Sequence, residues 1–418
     1  MTADNLFTLI FLLTLGASLL MQWWLANRQI GHIQQNRAEV PAEFSEHISL
    51  DEHQKAADYT TTKVALGRYE AAYGALILLW FTLGGLMNQI NELWLPFGWS
   101  TTLTGVAVII TIMLAGSLLD LPFTLYRTFV TEQRFGFNRT TPVVFIVDML
   151  KGALLAILLG GPLIWVILWL MDNSGSLWWL YAWMVWFGFS LFMMWAYPAF
   201  IAPLFNKFEA LEEGELKSRI ESLLQQCGFI SKGIYVMDGS RRSAHGNAYF
   251  SGIGNNKRIV FYDTLIEQLS ADEIEAVLAH ELGHFRMHHI RKRLISMAII
   301  GLGSLALLGW LIDQPWFYQG LGVDMASTYL GLTLFMLLSP VFGFFTTPLM
   351  SWFSRKHEFE ADAYAAKQRD ARDLIRALVK MYQENASTLT PDPLYSSFYD
   401  SHPPAPVRVS HLQKLQTT

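Results

Sequence analysis

The sequence predicts a mainly α membrane protein: a bundle of seven transmembrane helices carrying a soluble insert with a small β element. Three observations lead there. Of the 418 residues, 52% are apolar, and the mean hydropathy is positive, which is more apolar surface than one soluble core needs. Seven runs are apolar over the roughly 20 residues that a helix needs to cross a bilayer. The connections between them alternate between basic segments and segments without Lys or Arg, the mark of a chain threaded back and forth through a membrane.

The runs lie near 6–25, 71–87, 103–119, 149–171, 177–205, 294–312 and 329–352. Arg28, Arg37, Lys55, Lys63 and Arg68 follow the first, Arg127, Arg134 and Arg139 the third, a long polar region the fifth, and Arg355 and Lys356 the seventh. Those sides are expected to face the cytoplasm. Segments 88–101, 172–176 and 313–326 contain no Lys or Arg and are expected outside with the N-terminus. The first run has no basic n-region and is too long for a signal-peptide core, so it reads as a retained helix. Fifteen Trp suit the membrane interfaces. The formal net charge of −5 and the lack of a basic patch with interleaved aromatics give no reason to expect nucleic acid. The single cysteine, Cys227, excludes an internal disulfide and a CxxC metal site. Asp148 and Lys151, three apart beside a span, are expected to pair near the interface.

These signals divide the chain into 1–206 with spans one to five, an insert at 207–292, spans six and seven at 293–353, and a tail at 354–418. The insert opens with an amphipathic helix near 211–227 and then turns to strand patterning at 233–237 and 258–262, with Asn247 to Phe250 between them. A strand beside a reactive centre can pair with an extended peptide backbone.

His280-Glu281-Leu282-Gly283-His284 is an HExxH sequence. It falls within a helix started by the capping box Ser270-Ala271-Asp272-Glu273, with Ile274, Val277, Leu278 and Leu282 at helical spacing. Residues four apart share a helix face, so the two imidazoles can hold one Zn²⁺ while Glu281 stands beside its water as general base. The implied chemistry is hydrolysis of a peptide bond. A third histidine six residues on is ruled out, because Ile290 stands there and Met287 replaces the glycine of the three-histidine pattern. A carboxylate must then complete the set. Glu358 and Asp362 lie four apart on one face, with Glu360 about 200° away from Glu358. Glu358 is the expected ligand, and Asp362 the acceptor for the spare N–H of a bound histidine. His245, His288, His289 and His357 lie at spacings off the ligand face and read as bystanders.

In four stretches the sequence resembles the type I CAAX prenyl endopeptidases, integral-membrane zinc metalloproteases: Glu132 to Thr140, Ser243 to Gly252, HELGHF together with SRKHEFEADAYA, and Ser401 to Arg408. The resemblance covers nearly the whole chain. It implies seven helices enclosing a water-filled chamber under the zinc domain, a substrate groove lined by Asn247 and Ala248, and His402 and Arg408 near the metal, stabilising the oxyanion or holding a substrate carbonyl or carboxylate. It also implies a peptide or protein substrate, possibly prenylated. The lack of long insertions favours a compact bacterial form in an inner membrane. The rival within proteases is the heat-shock-type membrane metalloprotease of quality control, which is expected to have fewer spans. A transporter or channel would share seven spans with acids among them, but gives no reason for HExxH paired with ExxxD. An inert scaffold is at odds with the intact Glu281.

Overall fold

The structure, a computed structural model, describes residues 1–251 and 257–416. Among them seven helical segments are long and apolar enough to cross a membrane. The first five are α1 (Ala3–Gln35), α2 (Leu50–Phe81), α3 (Thr101–Phe135), α4 (Pro142–Asn173) and α5 (Gly175–Phe205). The insert follows with β1 (Phe208–Ala210), α6 (Glu215–Gln226), β2 (Ile234–Met237), β3 (Ala248–Ser251), β4 (Arg258–Tyr262) and α7 (Ala271–Arg286). The sixth span is α8 (His289–Leu311). The seventh is built from α9 (Thr328–Gly343) and α10 (Thr347–Gln368), joined by a single 3₁₀ turn; α11 (Ala371–Glu384) and α12 (Ala405–Gln416) close the chain.

All seven expected runs lie in helices, but their ends differ. Span two starts 21 residues earlier, at Leu50, where Ser49 and Glu52 form a capping box. It stops at Phe81 and not at 87, because the chain turns at Gly85 (φ 76°) into a separate short helix, Leu86–Trp94. Hydropathy cannot see the polar first half of α2, since a helix continues through polar residues once its backbone bonds are in register.

Among the described residues two large hydrophobic cores, with two smaller clusters beside them, hold the molecule together. Phe11, Met87, Val108, Leu168, Leu308 and Leu330 pack inside the bundle, whereas Leu76, Leu118, Val143 and Ile299 stay exposed on its outside. A lipid solvent makes that outer surface costless, and the backbone bonds closed within each helix meet the bilayer's main demand. In the insert, Ile220 and Leu223 of α6, Phe261 of β4, Leu278 and Leu282 of α7 and Leu374 of α11 form a second core.

The four strands run in the order β1-β2-β4-β3, with β2 parallel to β4 and the other pairs antiparallel. The resulting sheet packs on α7. Because Tyr262 N donates to Asn247 O, and hydrogen-bonded pairs alternate along an antiparallel ladder, Ala248 and Phe250 turn their main-chain groups to the side of β3 away from β4. Among the described residues that side is a free sheet edge. Asp148 and Lys151 do not pair. Asp148 is claimed by the fork of Arg242 (2.8 Å), and Lys151 donates to Leu204 O (2.7 Å), so both tie the bundle to the insert and its lead-in instead.

Candidate metal centre

The capping box expected at Ser270 forms: its Oγ accepts from Glu273 N, and Glu273 accepts from Ser270 N. The helix it starts is α7, which carries His280, Glu281 and His284 past Ala361 of α10. Gly283 permits the approach, since a Cβ there would sit 2.9 Å from Ala361 Cα and 3.0 Å from its carbonyl oxygen. Backbone on both sides leaves little to yield. Gly283→Ala is therefore expected to force α7 and α10 apart, costing about 1–3 kcal/mol as overpacking does, and to lower bound metal and turnover together; metal analysis of the purified variant checks this.

The close approach brings His280, His284 and Glu358 to one point. His280 Nε2 lies 3.2 Å from His284 Nε2, and the Glu358 oxygens lie 3.3 Å from each of these nitrogens. A tetrahedral ion with bonds of about 2.0–2.1 Å requires donor separations of about 3.3–3.4 Å. Glu358 Oε2 is moreover buried without a hydrogen-bond donor among the described residues, a costly condition unless a cation answers it. The residues fit a metal.

Each imidazole is held by its other nitrogen. Asp362 Oδ1 lies 2.8 Å from His280 Nδ1, as the sequence leads one to expect, and so takes that N–H and leaves Nε2 as the donor. Burial and Arg408 pull the His280 imidazolium pKa down, but Asp362 and Glu358 outweigh them and hold it at about 9, so an entering metal displaces a proton. His284 Nδ1 meets His289 Nδ1 at 3.0 Å, and His289 Nε2 meets Glu360 Oε2 at 2.8 Å. Since the carboxylate accepts from Nε2–H, neutral His289 must accept at Nδ1, and His284 then donates there and presents a bare Nε2. His289 is thus no bystander. It is buried, and His357 stacks on it at 4.0 Å. Helical spacing failed here because the helix ends at Arg286, with Met287 as its cap, and His288, in the left-handed region (φ 58°), turns the next helix back.

Glu281 lies beside the cluster, and burial pushes its carboxyl above the usual range, against the pull of His280 and His284. A carboxylate raised in this way is a better proton acceptor. Arg408 is buried, with Nε and Nη2 both on the carboxylate of Asp362 and Nη2 3.3 Å from His280 Nδ1. Its Nη1 lies 3.9 Å from Glu358 Oε2, so the guanidinium sits behind the histidines and still reaches the carboxylate of the donor triangle, near the centre as the resemblance implies. His402 takes the exposed position, with Nε2 3.4 Å from Glu358 Oε1. With Ser401 Oγ at 3.0 Å from Nδ1, Nε2 can carry the hydrogen toward a reacting oxygen.

His402 lines a polar cavity of about 840 Å³ that reaches α1 and α2; a second, largely apolar cavity of about 550 Å³ lies deeper in the bundle, and Gln22 borders both. Tyr59, Glu132, His245 and Asn385 form a network on the first: Tyr59 donates to Glu132 (2.6 Å), and His245 lies 3.0 Å from Asn385 Oδ1. His245 too has a place, which no local pattern announced because its partners come from three distant segments.

A multi-span bundle, an HExxH helix and a carboxylate donor on the helix beside it define an integral-membrane metallopeptidase. Residues 29–207 match the family model described as CAAX prenyl protease N-terminal, five membrane helices, and residues 210–416 match peptidase family M48. The chain belongs to the M48 family of CAAX prenyl proteases. It is 42% identical to a CAAX prenyl protease 1 homolog of Arabidopsis thaliana over 70% of this chain and 69% of that one. It is 39% identical to CAAX prenyl protease 1 of Saccharomyces cerevisiae, over 71% and 69% respectively. The crystal structure of S. mikatae Ste24p superposes with a TM-score of 0.90 at 33% identity, covering 97% of this chain and 98% of that one. These relatives are eukaryotic, so they lend nothing to the expectation of a bacterial form.

Proposed function

We propose that this membrane metalloendopeptidase cuts extended peptides, prenylated ones among them, at a zinc ion held by His280, His284 and Glu358. The observation that carries the reading is the triangle of donor atoms at 3.2–3.3 Å with Glu281 beside it. The ion would polarise the scissile carbonyl and acidify a water. Glu281 takes the proton of that water and passes it to the leaving amine. His402 donates to the oxygen that gains charge. Asp362 with Arg408 behind it, and Glu360 through His289, fix the rings. Main-chain groups of Ala248 at the free edge of β3 pair with the substrate backbone, while Asn247 Oδ1, which accepts from Ala248 N (2.8 Å), swings aside to admit it. Recognition through backbone makes cleavage tolerant of side chains near the scissile bond.

One peptide assayed with and without a prenyl group, and again fused within a stable domain, tests this. Cutting of the unprenylated form is expected, with the lipid improving affinity through burial of CH₂ groups at about 0.8 kcal/mol each. Strict dependence on the prenyl group narrows the enzyme to CAAX processing; efficient cutting inside the folded domain contradicts a site reached through a cavity.

The centre is proposed to face the cytoplasm, since every Lys- or Arg-bearing connection lies on its side of the bundle. Reporter fusions at Lys55, Arg134 and after Thr418 should read cytoplasmic, and those within 88–101 or 313–326 the opposite; a reversed pattern moves the chemistry outside the cell or into a lumen.

A further inference from the structure

The free edge of β3 is reached through a strap, Arg242 to Asn247, that follows the 3₁₀ turn Gly239–Arg241 after β2. Its first residue is tied to the membrane bundle. The Arg242 guanidinium holds Asp148 of α4 with Nε and Nη2 (2.8 and 3.1 Å) and donates to Asn206 Oδ1 (2.8 Å) and Phe205 O (2.6 Å), where α5 ends. Its carbonyl accepts from Arg139 N and Thr140 Oγ1, both at 3.1 Å, in the connection between α3 and α4. Ser243 bridges to Asn138, and Ala244 N donates to Phe137 O (3.1 Å). At the far end Gly246 N donates to Asn385 Oδ1 (3.2 Å) and Thr264 Oγ1 to His245 O (3.0 Å). Apart from the single bridge at Ser243 the strap lies in no helix or sheet, so bonds to distant segments are what fix its backbone. The metal donors are held otherwise, by α7 against α10 and by the core of the insert. Among the described residues no hydrogen bond or ion pair of the Arg242 side chain reaches either of those helices.

We propose that Arg242 is a positioning residue for substrate binding: by locking the lead-in of β3 onto the ends of spans four and five, it keeps the main chain of Asn247 and Ala248 aligned to pair with a peptide. The role rests on the reading of β3 as the substrate strand. An edge recognises backbone cheaply only when its own groups are already in line, because every residue ordered on binding subtracts from affinity. β4 aligns one side of β3, with Ala248 opposite Phe261 and Asn247 O held by Tyr262 N at 2.9 Å. Before that rung the chain depends on the strap. Arginine suits the task, since one planar guanidinium satisfies a carboxylate, an amide oxygen and a carbonyl in fixed directions, which a lysine ammonium cannot match. The side chains of Arg242 and Asp148 are only 23% and 24% exposed, so salt screens their pairing less than that of a surface bridge.

The experiment uses the full-length, metal-loaded enzyme in detergent, with cleavage of one quenched peptide, metal content and amide hydrogen exchange measured on the same samples. Arg242→Gln is expected to raise KM about tenfold with kcat and bound metal unchanged, and to quicken exchange in 242–250 but not in α7. Arg242→Lys should recover part of the KM. Thr140→Val, which removes one bond to the Arg242 carbonyl, should raise KM by less than Arg242→Gln. Both of these variants are mild, so the effect is read even where Arg242→Gln does not fold. A loss of metal or kcat at unchanged KM would make Arg242 a general brace and overturn the proposal. Faster exchange in the strap without a change in KM would overturn it too, by showing that the peptide does not use this edge. If the metal-loaded wild type cuts no peptide, the proteolytic reading fails and the positioning role falls with it.

Discussion

Glu281→Gln is expected to keep its metal and lose turnover by about 10²–10⁴-fold, the range for removing a general base. The amide is nearly the same size as the carboxylate, and Glu281 is not among the three donors that meet at 3.2–3.3 Å, so the centre remains assembled while nothing accepts the proton of the attacking water. The variant should also fold at least as firmly as the wild type, since it no longer confines a carboxylate that burial disfavours. Metal content by elemental analysis beside cleavage of a quenched peptide measures both halves. Stoichiometric metal with undiminished cleavage would assign the base elsewhere.

Glu358→Ala should instead strip the metal, because it removes the only carboxylate donor of the triangle and leaves two histidines. Glu360→Ala, two residues along the same helix, should weaken metal binding only modestly. Its carboxylate meets His289 and reaches the centre through two ring contacts (2.8 Å and 3.0 Å), whereas Asp362→Ala removes a direct contact to His280 and strands Arg408, with an expected loss of 10 to 100-fold in metal affinity. Titration with a chelator ranks the three; a larger loss in the Glu360 variant than in the Glu358 variant would put the wrong acid on the metal.

How much of this was legible in the sequence follows from which interactions are local. HExxH and the Glu358/Asp362 pair each lie within one unbroken helix, where spacing fixes azimuth, and the capping box names the helix start three residues away. The strands at 234–237 and 258–262 were legible for the same reason. The dismissal of His289 failed at a backbone feature, the left-handed His288, which no side-chain periodicity encodes. Arg408 was placed near the centre only through resemblance, and its partner was not foreseen: which face of a tail helix folds back onto Asp362 depends on α11 and α12 packing together, a tertiary outcome. Asp148 likewise found a stronger partner, the bidentate Arg242 from 94 residues further on, than the neighbour three residues away.

The order in which these parts leave the ribosome has a consequence for the cell. His280 and Glu281 are made before the last two spans, Glu358 only at the end of the seventh, and His402 and Arg408 later still. A nascent chain with its HExxH helix already outside the exit tunnel therefore lacks one of the three donors, the arginine that locks Asp362 and the imidazole proposed to donate to the reacting oxygen. Synthesis itself is expected to act as a safety interval: without Glu358 the donor triangle is incomplete while the chain's own unfolded segments and the insertion machinery are within reach, and it closes only after the seventh span is made.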